Sequence, residues 1–230
     1  MASTASGGGG HYAARREAVW VALSSGLVLG LLAVASLEQH WKLLGLPWWI
    51  WLVLASPSLL LCGDLLLGAL GKGVATTRNG ALVLLGAMVA GNVVGLALLI
   101  AALVTTSGSK IGGGQLLCTA AVIWFANIAV FGVWFWEVDD GGPVARANSD
   151  RLQAKPDFQF PQDDNHDLAR PGWYPQIWDY LYVSLTSSSA FSPTDTMPLT
   201  LKAKLLVGLE STVSLVIVVL VTARAVNVLK

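Results

Sequence analysis

Glu210 stands in the middle of a strongly apolar run, Leu199 to Ala223. A carboxylate at that depth in a bilayer costs several kcal/mol unless it is paired, protonated or facing water. It is therefore suited to line a pore or carry a proton. Equally, as a neutral hydrogen-bonded acid, it would fix helix packing. Asn127 and Asn92 lie midway along two other apolar runs. Side-chain amides there act as interhelical hydrogen-bond partners worth about 1 kcal/mol, and either can meet Glu210. Asp64 sits near the end of its run, where its carboxylate can reach the interface.

A second group of polar residues precedes the last run: Thr186, Ser187, Ser188 and Ser189, then Phe191 and Asp195. Asp195 can draw cations to a mouth or cap the final helix together with Thr196. Asp179, on the aromatic stretch before them, reads as a capping or surface residue. Asp163-Asp-Asn-His-Asp167 brings carboxylates and an imidazole together, but its spacing fits no calcium loop and no zinc motif. Gly112-Gly-Gly114 lacks the Lys-Ser/Thr of a phosphate loop, and no serine sits on a nucleophile elbow. No basic, aromatic-interleaved patch points to nucleic acid. The expectation is a protein that is not an enzyme, with no cofactor and no metal.

The elements that must position these residues are apolar runs. The chain has 230 residues, of which 54% are hydrophobic and 12% charged, and its mean hydropathy is +0.63. Soluble domains carry about 25% charged residues, and a membrane-spanning helix needs about 20 consecutive apolar ones. Residues 1–16 form a Gly/Ser-rich tail expected to be disordered. Residues 17–136 form four transmembrane helices: Ala18 to Leu37, Leu43 to Leu70, Ala81 to Val104 with Gly91-x-x-x-Gly95, and Gln115 to Trp136. The first run, preceded by Arg15-Arg16, also has features of a cleaved signal peptide. A retained helix is the favoured reading, with Gly26-x-x-x-Gly30 as a close-packing face. Tryptophans at 48, 49 and 51, and again at 134 and 136, mark interfacial belts.

Residues 137–171 hold eight of the fourteen acidic residues, which reads as a solvated acidic loop long enough to be disordered or a functional cap. Residues 172–230 carry the hydroxyl-rich segment, a turn and the last helix. The fold class is thus all-α transmembrane, a bundle of five or six membrane segments, with Trp173 to Ser192 either crossing or re-entering. Cys62 and Cys118 lie inside apolar runs and read as small buried hydrophobes.

Tyr180-Leu-Tyr-Val-Ser-Leu-Thr-Ser-Ser-Ser-Ala-Phe-Ser-Pro-Thr-Asp-Thr-Met-Pro-Leu-Thr200 resembles the pore loop of the potassium-channel superfamily. That loop runs from an aromatic half-helix through a Thr/Ser run and Gly-Tyr-Gly-Asp to Pro and Thr. Thr186 to Ser189 match the hydroxyl run, Phe191 the filter aromatic, and Asp195, Pro198 and Thr200 the exit. Ala190 and Ser192 replace the filter glycines, and Pro193-Thr194 adds two residues. Glycine meets the filter's unusual dihedrals without steric penalty, so potassium selectivity is not implied. Residues 115–230 also resemble a group of channel-like bacterial multi-pass membrane proteins. Ile123-Trp-Phe-Ala-Asn127, Val133-Trp-Phe-Trp-Glu137, Gly141-Gly-Pro143, Phe158-Gln-Phe-Pro161, Ala190 to Pro198 and Ala223-Arg-Ala-Val-Asn227 carry that likeness.

Six crossings with the N terminus inside would place Arg15, Arg16, Lys72, Arg78, Arg146, Arg151, Lys155, Arg170, Arg224 and Lys230 in the cytoplasm. Only Lys42, Lys110, Lys202 and Lys204 would be outside. The positive-inside rule favours this arrangement, with a cytoplasmic C terminus in the plasma (inner) membrane. Five crossings with a cytoplasmic C terminus would reverse the count. The resemblance implies a channel-like protein passing an inorganic cation as a homo-oligomer, since one re-entrant loop cannot surround an ion. The alternatives are a small secondary transporter or proton-linked carrier using Glu210, and a scaffold or accessory subunit docking a partner through the acidic loop.

Overall fold

The computed structural model describes residues 78–104, 113–148, 155–165, 167, 169–170, 172–190 and 195–228, with 56, 60 and 63 as isolated positions. The N-terminal tail, the run Ala18 to Leu37, nearly all of Leu43 to Leu70, Cys62, Asp64, His166 and Phe191 lie outside the described residues.

Three long helices form where the apolar runs are uninterrupted. These are α1 (Arg78–Val104), α2 (Gly113–Val138) and, at the end of the chain, α6 (Leu201–Val228). Helix α2 stops because Asp140, Gly141 and Gly142 all have positive φ, at 48°, 80° and 96°. Glycine tolerates that region, and an aspartate reaches it more readily than most side chains. The stop closes with a single 3-10 turn, Asp139–Gly141, after which Pro143 opens the short helix α3 (Pro143–Asn148). Proline at the first helical position wastes no hydrogen bond. A two-residue strand β1 (Phe158–Gln159) and one turn of helix α4 (Pro161–Asp164) follow, then α5 (Ile177–Ala190) and strand β2 (Met197–Pro198).

The described residues are mostly helical, and among them two helices are long and apolar enough to cross a membrane: Ala120–Gly141 and Leu201–Ala223. They differ in surroundings. The first window is 61% buried and the second only 28%. Leu205, Leu209, Leu215, Val218 and Val219 of α6 all face outward. A contiguous apolar surface of this kind on a long helix marks a membrane or partner-facing side.

Helix α2 is the hub, packing against α1, α5 and α6. The core has two apolar halves. One lies where α2 ends and α6 begins: Leu85, Met88 and Val89 of α1 meet Phe131, Phe135 and Trp136 of α2. It continues through Phe158, Phe160, Ile177, Tyr180 and Val183 to Ala203 and Val207 of α6. The other half gathers Leu96, Ala120, Ile123, Val213 and Ile217. Between the two halves, on α2, α5 and α6, lie the buried polar residues Asn127, Ser184, Ser187, Ser188, Glu210 and Ser214.

Residues 137–171 differ from the solvated acidic loop read in the sequence. Asp139 and Asp157 are buried, as are Phe158 and Phe160, and Phe158 and Phe160 pack into the first half-core. Antiparallel pairing of Phe158 with Pro198 and Gln159 with Met197 ties the segment to the chain just before α6. Composition alone hid this, because the acids that remain wet and the acids that are hydrogen-bonded inside look alike in the sequence.

Candidate functional site

Helix α5 enters the bundle from the end where α2 finishes. Its first turn is set by Asp179, whose Oδ2 accepts the backbone N–H of Gln176 at 2.7 Å. A carboxylate at the third helical position reaching back to the cap is a helix-start device. Burial raises the Asp179 carboxyl above its ordinary range, and the Gln176 hydrogen bond partly offsets this. The next residue, Tyr180, donates its hydroxyl to Asp139 Oδ2 at 2.5 Å. Asp139 Oδ1 accepts the N–H groups of Asp157 at 2.6 Å and Phe158 at 3.0 Å. Arg146 donates to the Asp139 carbonyl at 2.6 Å, with its guanidinium 5.1 Å from the Tyr180 ring centroid.

The chain then returns to the same end. Leu199 donates its N–H to the Asp157 carbonyl at 2.8 Å. Thr200 donates to Asp157 Oδ1 at 2.5 Å, and Lys202 pairs with Asp157 Oδ2 at 2.7 Å. Thr200 also caps α6, accepting the Ala203 N–H at 3.3 Å. Tyr180 and residues 197–200 thus meet the same cap, and the rest of α5 lies between them in the chain. At about 1.5 Å per residue, 14 residues of helix span about 21 Å, short of a hydrocarbon core of about 30 Å.

Close approach of α2 and α5 makes the insertion possible. A Cβ on Gly132 would meet Leu181 Cδ2 at 2.6 Å and Leu181 Cα at 3.2 Å. By contrast, a Cβ on Gly95 would meet only Ile123 Cδ1, at an ordinary 3.8 Å. The close approach is therefore at Gly132 and not at Gly95.

Deeper in, Ser184 and Ser188, one helical turn apart on α5, both hydrogen-bond to Glu210 Oε1, Ser188 at 3.0 Å. Ser184 Oγ also lies 2.8 Å from the Ile128 carbonyl of α2. Ser211 donates to the Ser187 carbonyl at 3.3 Å. Asn127, also in the layer, donates to Ser214 at 3.0 Å rather than to Glu210. Three buried oxygens in the layer have no hydrogen-bond partner among the described residues: Glu210 Oε2, Ser187 Oγ and Asn127 Oδ1.

The hydroxyl run is helical, not an extended row. Thr186 bonds back to the Tyr182 and Val183 carbonyls, each at 2.9 Å, and Ser189 to that of Leu185 at 2.7 Å. Ser187 and Ser188 turn into the bundle, toward α6. Asp195 is exposed where the chain re-emerges. Asn92 lies on α1, with its side chain outside the described residues. Sequence reasoning missed Ser184, Ser214, Asp139, Tyr180 and Asp157. The first two carried a signal, since Ser184/Ser188 and Glu210/Ser214 are both spaced to share a helix face.

Among the described residues, fold and site define a predominantly helical protein with two helices fit to cross a membrane, a short helix inserted between them, and a buried polar layer. Comparison with family models, with curated proteins and with solved structures returns no match.

Proposed function

We propose that the protein is an integral membrane protein of channel-like type, in which α5 re-enters the membrane beside α2 and α6 and contributes to a path for an inorganic cation. One observation carries this reading: both ends of the 177–200 segment are held by the same cap, through Tyr180–Asp139 and through the Phe158–Pro198 pairing. A segment that enters and leaves on one side brings polar backbone into a membrane only where it borders protein or a water-filled path. The path is completed by further copies of the chain, since one such segment cannot enclose an ion. Asp195, at the exposed end of the return, concentrates cations at the mouth.

Re-entry changes the expected orientation. With five crossings and the N terminus inside, Lys202 and Lys204 join Arg15, Arg16, Lys72, Arg78, Arg146, Arg151, Lys155 and Arg170 in the cytoplasm. Arg224 and Lys230 move outside with Lys42 and Lys110. The cation bias is as strong as with six crossings and satisfies the same rule. The cap is then cytoplasmic and the C terminus external, opposite to the sequence expectation for that terminus.

The test is ion flux from liposomes containing the purified protein. A cation gradient should dissipate, and Asp195→Asn should slow it several-fold at low salt and less at high salt, as for a screened surface charge. No flux at any voltage, from protein that stays monomeric, would sink the channel reading. A second reading, a proton-linked carrier, is favoured by the buried Glu210, whose bonded neighbours among the described residues are serines. It expects Glu210→Gln to abolish pH-coupled uptake while the fold survives.

A further inference from the structure

Glu210 is fully buried, and its two hydrogen-bond partners, Ser184 and Ser188, carry no charge. Among the described residues, the elements packed around it bring no charge nearby. On α2 the nearest is Glu137, nine residues beyond Ile128, and on α5 it is Asp179, five residues before Ser184. On α6 it is Lys204, six residues before Glu210, and α1 has none after Arg78. An isolated carboxylate cannot remain so in a low-dielectric interior. The layer must hold one compensating positive charge.

The hydrogen-bond inventory says where. Ser184 has one hydroxyl hydrogen but lies against two acceptors, the Ile128 carbonyl and Glu210 Oε1. With an ionised Glu210, one of those contacts sets lone pair against lone pair. Glu210 Oε2, Ser187 Oγ and Asn127 Oδ1 add three buried oxygens with no donor. Oxygen lone pairs without donors are what a hard cation coordinates. The layer has one acid, and no group of three His, Cys, Asp or Glu side chains occurs among the described residues. A divalent ion would leave the layer with excess positive charge, whereas a monovalent ion leaves it neutral.

We propose that Glu210, with Ser184, Ser187, Ser188 and Asn127, forms a site for one monovalent alkali cation that exchanges with a proton on Glu210. As the cation enters, the Glu210 proton leaves to water, and the charge of the layer is unchanged. Asn127 Nδ2 keeps its bond to Ser214 in either state, anchoring α2 to α6. The site does not require permeation. Binding is read from stability and flux from liposomes, so either can fail alone.

The experiment is thermal unfolding of the full-length protein in detergent, in sodium, lithium, potassium or choline chloride at equal ionic strength, at acidic and at alkaline pH. A saturating alkali cation should raise Tm over choline by about 5 °C. The gain should be larger at alkaline pH, where the competing proton is scarce. Glu210→Gln should abolish the difference. Ser187→Ala, which removes one neutral oxygen, should raise the half-saturating concentration roughly ten-fold, and it carries the test where Glu210→Gln does not fold. Equal Tm in choline and in every alkali cation at both pH values overturns the site. So does a pH-dependent Tm with no cation dependence, which would assign the proton alone. Retention of the cation effect in Glu210→Gln, or an unshifted half-saturation in Ser187→Ala, also overturns it.

Discussion

Replacing Asp139 with alanine should release the cap and cost about 3 kcal/mol or more, read as a fall in Tm and as new proteolytic cleavage within residues 139–171. Its two oxygens satisfy the N–H groups of Asp157 and Phe158 and the Tyr180 hydroxyl. Each buried donor left without an acceptor costs about 1–3 kcal/mol. The cap would relieve this by opening to water, and Phe158 and Phe160 would lose their seat in the first half-core. Asp139→Asn keeps one oxygen for the two N–H groups and should cost clearly less. Lys202→Ala is the contrasting case. Its side chain is 54% exposed against 4% for Asp157, and Asp157 keeps its Thr200 and Leu199 hydrogen bonds, so the loss should be smaller, about 1–2 kcal/mol. Equal losses from Asp139→Ala and Lys202→Ala would refute the view that Asp139 is the keystone of the cap.

Gly132→Val should separate α5 from α2 and cost about 3 kcal/mol, the upper part of the range for overpacking. Moving the Leu181 side chain is cheap, but its Cα at 3.2 Å is backbone and cannot rotate away. Displacing α5 there would pull Ser184 from Ile128 and Glu210, four residues deeper. Gly132→Ala is the graded step. Helix propensity alone would favour it by about 1 kcal/mol, so a net loss of Tm on Gly132→Ala is direct evidence of the close approach. A gain in Tm for both variants would mean that the two helices stand apart.

The sequence made the long helices legible because each is built from more than twenty consecutive residues of low polarity. Ala81 to Val104 became Arg78–Val104, Gln115 to Trp136 became Gly113–Val138, and the last run became Leu201–Val228. Glu210 was legible for the same reason, as an acid alone in an apolar run. The role of Thr186 to Ser189 was not. A hydroxyl run fits a filter or a helix equally well, and only the packing of Ser188 against Glu210 and of Ser187 against Ser211 decides it. Asp139 and Asp140 are adjacent and chemically identical. One is fully buried and the other is bent to φ 48° at the helix stop, a difference set by tertiary position. Gly132 was hidden by its neighbours, because a lone glycine among aromatics carries no spacing pattern.

The central claim is that the chain enters beside α2 and returns to the side it came from. Single cysteines at Gln176, Asp195 and Lys230, in a background lacking Cys62 and Cys118, test it with a membrane-impermeant thiol reagent on intact and opened vesicles. The account predicts that positions 176 and 195 label from one side and position 230 from the other. Labelling of positions 176 and 195 from opposite sides would make α5 a crossing helix and contradict it.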